Sequence, residues 1–310
     1  MELNRRGFLH LLGAGATCMC AGPALGESND PTEDDGMAML VDTTECIGCR
    51  KCEFACDQAQ GLSGRSRESF EDTSVFDQPR RMVADAYTVV NRYPQPNTPD
   101  QPIYVKSQCM HCVKPACVSA CLVGALTTAE NGAVVYDAGK CMGCRYCMVA
   151  CPFEVPAYEY SDPLTPRVRK CVFCFERVKN EAKIPACAEM CPPMCLTYGK
   201  RTELLALAHE RIAKYPDKYV NNVYGEHEVG GTRWLYLAAK PFEELGFLTL
   251  GDKPIPQLTE TLQHSIFKFG IPPLLLFGVL GAAITAFKDD SSHGAASAKD
   301  ASSSKPKGVS

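Results

Sequence analysis

The sequence lacks a strong excess of charge of either sign, because 32 Lys and Arg residues face 36 Asp and Glu residues and give a formal net charge of −4. Nothing in this balance points to nucleic acid or to a strongly acidic partner. The sequence also lacks a glycine-rich phosphate loop, a flavin or nicotinamide motif and a convincing nucleophile–base pair. We therefore predict no catalytic residue, and the sequence leaves open whether the chain is itself an enzyme.

Cysteine, by contrast, is abundant, with 19 among 310 residues. The hydrophobic content of 45% is ordinary and supports a folded core. The length fits one sizeable domain or two small ones. Three explanations compete for so many cysteines, namely disulfides, zinc sites or iron–sulfur clusters, and the spacing has to decide between them.

The first 26 residues have the pattern of a twin-arginine (Tat) signal peptide. The pair Arg5-Arg6 is followed by a weakly apolar run over residues 11–19 and by a small-x-small cleavage site that ends at Gly26. The alternative is an ordinary helical start with a chance arginine pair. We expect the Tat translocon to export the folded chain and residues 27–40 to form a polar linker.

A second long apolar run lies near the other end of the chain. Residues 269–287 carry no charge and lie between Lys268 and Lys288. As a helix they span about 28 Å, close to the bilayer core of about 30 Å. We expect a transmembrane anchor over 267–288, a disordered cytoplasmic tail after it, and a protein body on the periplasmic face of a bacterial inner membrane. The alternative is a buried helix of a globular domain.

Cys18 and Cys20 lie in the signal segment, and sixteen of the other cysteines form four groups of four. The first and third groups have the spacing C-x2-C-x2-C-x3-C and consist of Cys46, Cys49, Cys52 and Cys56, and of Cys141, Cys144, Cys147 and Cys151. The second and fourth have the spacings C-x2-C-x4-C-x3-C and C-x2-C-x12-C-x3-C and consist of Cys109, Cys112, Cys117 and Cys121, and of Cys171, Cys174, Cys187 and Cys191. Cys195 is left over.

This spacing has a chemical reason. Three cysteines three residues apart can wrap a loop around one [4Fe–4S] cluster, and the fourth ligates the other cluster of a pair. Zinc ribbons also use C-x2-C pairs but do not need the third and fourth cysteines. Disulfides are disfavoured because cysteines so close in a loop rarely pair with each other. Since cysteine fills every ligand position, we predict four [4Fe–4S] clusters with all sixteen cysteines as iron ligands.

Several other residues lie beside these groups. Six basic residues could raise the reduction potentials of the clusters, but ordinary solvated surface is the interpretation we favour for them: Arg50, Lys51, Lys106, Lys114, Arg145 and Lys170. His111 stands between two cysteines of the second group. We expect it to lie near a cluster or at the surface rather than to bind iron, because four cysteines already suffice.

Three segments carry a family resemblance: CMHCVKPAC at 109–117, GAVVYD at 132–137 and CMGCRYCMVACPF at 141–153. They resemble the four-cluster ferredoxin subunits of respiratory oxidoreductases, which include formate dehydrogenase β subunits and the NrfC-like, DmsB-like and HybA-like proteins. With the Tat motif, the long segment after the clusters and the anchor, the chain is similar to HybA-like subunits of periplasmic, quinone-linked [NiFe] hydrogenases of the hydrogenase 2 type. It departs at Leu122, where relatives usually have proline, and at the extra Cys195; neither change removes a ligand.

The resemblance implies an α+β fold of two tandem ferredoxin-like halves with surface insertions and a C-terminal transmembrane helix. It also implies that the outer groups pair with each other and the inner groups likewise. The outer pair would bind one cluster through Cys46, Cys49, Cys52 and Cys191 and its neighbour through Cys171, Cys174, Cys187 and Cys56. The inner pair would bind one through Cys109, Cys112, Cys117 and Cys151 and another through Cys141, Cys144, Cys147 and Cys121.

The function implied by the resemblance is electron transfer between a periplasmic catalytic subunit, a [NiFe] hydrogenase, and a polytopic NrfD-like or HybB-like membrane subunit that reacts with quinone in anaerobic respiration. One alternative is the β subunit of an exported molybdopterin oxidoreductase, such as formate dehydrogenase or a polysulfide- or DMSO-type reductase. A more distant alternative, from a different class, is a zinc-binding structural protein.

The chain is accordingly divided into segments. Residues 41–200 form the cluster domain, in which 61–102 is expected to be a polar surface-loop insertion. Residues 201–266 either pack over the clusters or dock partner subunits. Within that last segment, apolar periodicity predicts a helix over 202–215, and 234–237 is a candidate strand.

Overall fold

The computed structural model describes residues 35–95, 101–162, 164–256, 277–281 and 284. The predicted signal peptide and tail, and most of the predicted anchor, lie outside these ranges. The helices of the cysteine-rich body are α1 Lys51–Gln60, α2 Ala116–Ser119, α3 Tyr146–Ala150, α4 Phe175–Glu181, α5 Ala186–Glu189 and α6 Arg201–Lys214. Its strands are β1 Met37–Asp42, β2 Thr88–Tyr93, β3 Ile103–Gln108, β4 Leu126–Thr128, β5 Val134–Tyr136, β6 Ala157–Tyr158, β7 Val168–Arg169, β8 Leu196–Lys200 and β9 Trp234–Leu237.

Strand β1 is the centre of a three-stranded sheet. It pairs with β8 in the antiparallel direction and with β9 in the parallel direction, so that Met39 lies between Tyr198 and Trp234. Residues 37–42 are almost entirely apolar because both faces of this strand are covered. The sheet therefore joins the start of the chain to segments that come about 160 to 200 residues later.

Helix α6 covers one face of this sheet. Its buried Leu204, Leu205 and Ala208 recur at helical spacing and pack on Leu40 and Leu235. The helix begins one residue before the predicted start, and the strand predicted over 234–237 is confirmed. The helix fixes the sheet from the side that faces away from the cysteine loops.

The opposite face of the sheet meets the cysteine-rich part of the chain. Met39, Trp234 and Tyr236 belong to the same buried cluster as Phe173 and Cys187. Edge-to-face packing of Phe173 on Trp234, with ring centroids 5.8 Å apart, ties a cysteine loop directly to β9. The sheet is thus the support on which these loops are built.

The predicted surface-loop insertion is wrong for part of its length. Strand β2 pairs with β3 in an antiparallel hairpin, and Val89 and Val90 are buried. Phe70 and Phe76 from the same insertion are buried too. A short β-branched run is enough to form a strand once a partner strand covers it, although the polar residues around it indicate a loop.

The described elements form a mixed α and β structure in which short hairpins, β4–β5 and β6–β7, accompany the short helices. The predicted α+β class is confirmed. Within the described ranges, no helix is both long and apolar enough to cross a bilayer.

Candidate metal centres

The four cysteine loops share one backbone feature. In each C-x2-C segment the residue before the second cysteine has a positive φ: Gly48 at 68°, His111 at 46°, Gly143 at 74° and Phe173 at 57°. A left-handed residue turns the chain sharply, so that the flanking cysteines can face a common space. The four loops therefore share this left-handed turn, despite their different spacings.

Two of these left-handed positions hold large side chains in place of glycine. His111 and Phe173 are almost completely buried, and their ring centroids lie 5.0 Å apart. The His111 Nδ1 accepts a hydrogen bond of 2.9 Å from the backbone N–H of Val134. His111 therefore lies in the interior beside the cysteines, which is one of the two positions predicted for it. It does not lie at the surface.

We call the first set of converging thiols site A: Cys46, Cys49, Cys52 and Cys191. All four line one small cavity, together with Lys106 and Cys195. The first three come from one loop and the start of α1, while the fourth follows α5 from far along the chain. The structure thus brings together the set that the resemblance implies.

Site B consists of Cys56, Cys171, Cys174 and Cys187. Burial raises the pKa of the Cys56 thiol well above its usual range, and the negative charges of the other three raise it further. Cys52 and Cys56 lie one turn apart in α1, so this helix runs from site A to site B. Helix α5 packs against α1 and connects the same two sites. It carries Cys187 of site B and is followed by Cys191 of site A.

Sites C and D repeat this arrangement in the other half. Site C consists of Cys109, Cys112, Cys117 and Cys151, and site D of Cys121, Cys141, Cys144 and Cys147. Burial first, and then the other three members of site C, raise the pKa of Cys112 well above its ordinary value. Burial and the other three members of site D raise the pKa of Cys147 to about 11. Helices α2 and α3 pack together and link the two sites.

The four sites lie in the order A, B, C, D. Cys52 of site A and Cys187 of site B interact electrostatically. Cys171 of site B interacts with Cys109 of site C. Cys117 of site C interacts with Cys147 of site D. The thiol groups therefore form one continuous row through the protein.

The donor sets fit iron–sulfur clusters. Each contains four soft sulfur ligands, the type that iron–sulfur clusters use. Buried thiolates so close together repel one another, and a positively charged metal group removes that repulsion. Within the described ranges, no group of three or more Cys, His, Asp or Glu side chains is arranged to hold a single metal ion.

Cys195, the unassigned cysteine, lies against site A. Its Sγ is 3.4 Å from the Sγ of Cys191. Hydrogen bonds to Cys191 and Cys46 raise the pKa of Cys195 far above its ordinary value, and the same contact lowers the pKa of Cys191 to about 6. Once Cys191 binds iron its Sγ has no proton, so Cys195 would be the donor in this contact.

The solvated-surface interpretation is wrong for three of the six basic residues. Arg50, Lys106 and Lys170 are almost fully buried. The other three fit it better, because Lys51 and Lys114 are half-buried and Arg145 is exposed. Burial matters because a charge inside the protein acts on its neighbours with little screening by water.

Both ends of the row approach the surface. At site D, Cys144 is exposed, and Leu122, Met142 and Val149 around it are 74%, 64% and 82% exposed. At site A the neighbouring Ile47 is 60% exposed. The two inner sites lie further from solvent.

An internal repeat would have placed Cys195 from the sequence. PACVSACLVGALT at 115–127 and PACAEMCPPMCLT at 185–197 have proline, alanine, cysteines, leucine and threonine at matching positions. Cys195 then corresponds to Ala125, which follows Gly124 just as Cys195 follows Met194. Gly124 and Met194 both have positive φ, so the two loops match in backbone as well.

Residues 101–201 match the model of a 4Fe-4S dicluster domain family. A protein of Nitratidesulfovibrio vulgaris is 45% identical over 294 residues, which cover 93% of this chain and 78% of that protein. The hydrogenase-2 operon protein HybA of Escherichia coli O157:H7 is 34% identical over 312 residues, with coverage of 90% and 94%. The nitrate-inducible formate dehydrogenase iron–sulfur subunit of Escherichia coli is 34% identical over 205 residues, with coverage of 65% and 67%.

Proposed function

This chain belongs to the family of HybA-like, ferredoxin-type iron–sulfur subunits, and on that premise we propose that it is the electron-transfer subunit of a respiratory oxidoreductase complex. The continuous row of thiol sites from A to D carries the proposal. Each site would bind one [4Fe–4S] cluster, and electrons would pass singly along the row. The chain's own part is to hold the clusters close together and to set their surroundings.

The catalytic partner we propose is a periplasmic [NiFe] hydrogenase. The similarity to HybA supports this choice because it covers 94% of HybA and 90% of this chain, including the segment after the cysteines. Similarity to formate dehydrogenase iron–sulfur subunits covers 65% to 75% of this chain. That match makes the β subunit of an exported molybdopterin oxidoreductase the second candidate.

Metal analysis of the purified complex separates these two candidates. We expect affinity-tagged chain, isolated from its native membranes in mild detergent, to co-purify with a nickel-containing catalytic subunit. Molybdenum or tungsten in place of nickel would overturn the hydrogenase assignment and favour the second candidate. A matched preparation from cells without the tagged gene controls for contaminating enzymes.

The two exposed ends of the row suit two partners. Apolar side chains around Cys144 at one end and Ile47 at the other are the kind of surface that a partner subunit covers. One partner would be the catalytic subunit, and the other a membrane subunit that exchanges electrons with quinone. Electrons pass between a partner and this chain only over a short distance, so each partner has to lie close to a terminal site.

We further propose that the chain is exported by the Tat translocon and held at the periplasmic face of the inner membrane by residues 267–288. The Arg5-Arg6 pair and the uncharged run over 269–287 support this location. Replacing both arginines by lysine should trap the chain, with its clusters, in the cytoplasm. Ending the chain at residue 266 should release the exported protein into the soluble periplasmic fraction; recovery in the membrane would count against the anchor.

A further inference from the structure

Lys106 is a buried cation within strand β3, three residues before Cys109 of site C. Only 3% of its surface is exposed. Its ammonium donates hydrogen bonds to the Thr88 hydroxyl at 2.8 Å and to the Gln108 side-chain oxygen at 2.7 Å. It also lies 4.3 Å from the centroid of the Trp234 ring. These contacts hold the charge in one place, but none of them is with a negative group.

The ion pairs among the described residues do not include Lys106. Arg50, which also lines the site A cavity, differs because Glu53 balances its charge at 3.0 Å. A buried ammonium without a carboxylate is costly unless another negative group compensates it. The compensating charge for Lys106 therefore has to come from somewhere else.

The groups that interact with the Lys106 charge are cysteines of two sites, and they become negative when they bind iron. Burial alone would lower the pKa of Lys106, but the charges of Cys187, Cys52 and Cys171 raise it above its ordinary value. Lys106 lines the site A cavity together with Cys52, and Cys52 lies one turn from Cys56 of site B in α1. Lys106 thus acts on site A and on site B at once.

Building on the proposed function, we propose that Lys106 is a shared counter-cation of sites A and B and raises the reduction potentials of the clusters that both would bind. Each one-electron reduction adds one negative charge to a site, and a fixed positive charge nearby favours that change. The electron comes from the catalytic partner; Lys106 keeps its proton, and no bond forms or breaks. Lys106 supplies a fixed positive charge to both sites and does not bind iron.

Lys170 is a second buried lysine and offers a comparison with Lys106. Lys170 is equally buried and donates hydrogen bonds to the backbone oxygens of Val134 and Cys171. Its charge acts on the thiols of Cys117 and Cys151, both of site C. Loss of Lys106 should therefore change two clusters, and loss of Lys170 should change the cluster of site C.

The test is a redox titration of the full chain, purified with its clusters and followed by electron paramagnetic resonance. In Lys106→Gln the amide can still donate to Thr88 and Gln108, but the charge is gone. At a fixed potential we expect the reduced-to-oxidised ratio of two of the four clusters to fall at least tenfold, about 59 mV for a one-electron couple. The other two clusters should keep their wild-type ratios.

Two further variants control this experiment. Lys140→Gln removes a 61% exposed ammonium next to Cys141 and should leave all four ratios unchanged because water screens that charge. Lys106→Arg keeps the charge and should bind four clusters with ratios close to those of wild type. If the Gln variant loses iron while the Arg variant keeps all of it, the charge requirement is supported.

Unchanged ratios in Lys106→Gln, equal shifts in all four clusters, or loss of iron in Lys106→Arg would each overturn the proposal. Iron and acid-labile sulfide in the wild-type chain are measured first. A wild-type chain without iron–sulfur clusters contradicts the proposed function itself, whereas a fully loaded chain with an inert Lys106 contradicts only the role of this residue.

Discussion

At the scale of single residues, Cys195 places a thiol beside the Cys191 sulfur of site A, where it would donate a hydrogen bond to the iron-bound sulfur. A hydrogen bond to a sulfur ligand stabilises the extra negative charge of a reduced cluster and so raises its reduction potential. The matching residue in the other half, Ala125, has no side-chain donor, although its backbone N–H donates to the Cys121 Sγ at 3.2 Å. Sites A and D should therefore differ in potential partly because of Cys195.

Replacing Cys195 by alanine tests this difference. Cys195→Ala should keep all its iron but lower one midpoint potential, that of site A, by a few tens of millivolts. Cys195→Ser keeps a hydrogen-bond donor and should shift the same potential less. Both are read by redox titration with electron paramagnetic resonance. Loss of one cluster in the alanine variant would show instead that Cys195 binds iron.

The sequence predicts how the sixteen cysteines are grouped because their spacing is local, but it does not predict the burial of Lys106. A lysine is usually exposed. Lys106 becomes buried only because Trp234, from a strand 128 residues later, covers it and Thr88 from the paired strand accepts its hydrogen bond. Such contacts depend on the fold of the whole chain. The same holds for His111, whose Val134 partner belongs to another element.

At the scale of elements, the left-handed residue in each loop is the feature that lets two cysteines face one site. Gly48 combines this φ of 68° with a close neighbour, because an added Cβ would lie 2.4 Å from the Tyr104 ring. Gly124 has a similar φ of 62° but no atom within 4 Å of an added Cβ. Comparing substitutions at Gly48 and Gly124 therefore separates the cost of backbone strain from the cost of steric overlap.

We expect Gly124→Ala to destabilise the folded chain by about 1–2 kcal/mol, the cost of a left-handed residue with a side chain. Gly48→Ala should add a packing cost of about 1–3 kcal/mol. Denaturant unfolding of the loaded chain, followed by cluster absorbance, measures both. Equal midpoints for the two variants would show that the Tyr104 ring moves aside without cost.

The sequence alone does not say which two cysteine loops each short helix connects. Spacing indicates that the fourth cysteine of a group leads away from its own loop, but it does not say to which loop. Packing of α1 on α5 and of α2 on α3 supplies that information. The β2 strand was missed for a similar reason, since its burial depends on β3 and on the loops around it.

At the scale of the whole molecule, exchange of the fourth cysteines ties distant parts of the chain together. Site A joins the first loop to Cys191, and site B joins the fourth loop to Cys56. Site A is complete only when residues about 140 apart in sequence have met, and site B only when residues about 115 to 130 apart have met. Cluster binding and folding should therefore be strongly coupled in this protein.

Alanine substitutions test the exchange directly. Cys56→Ala should remove the same resonance signal as Cys174→Ala, because both belong to site B. It should leave the signal that Cys49→Ala removes, since Cys49 belongs to site A. If Cys56→Ala instead resembles Cys49→Ala, each group of four keeps its own cluster and the connection through α1 is wrong.

A row of four [4Fe–4S] clusters that carry electrons is tested most directly by counting metal and sulfide in the purified full chain. Anaerobic purification followed by iron, zinc and acid-labile sulfide analysis should give about 16 irons and about 16 sulfides per chain, with little zinc. Zinc in place of iron, or half this amount of iron and sulfide in a fully folded chain, would contradict the account.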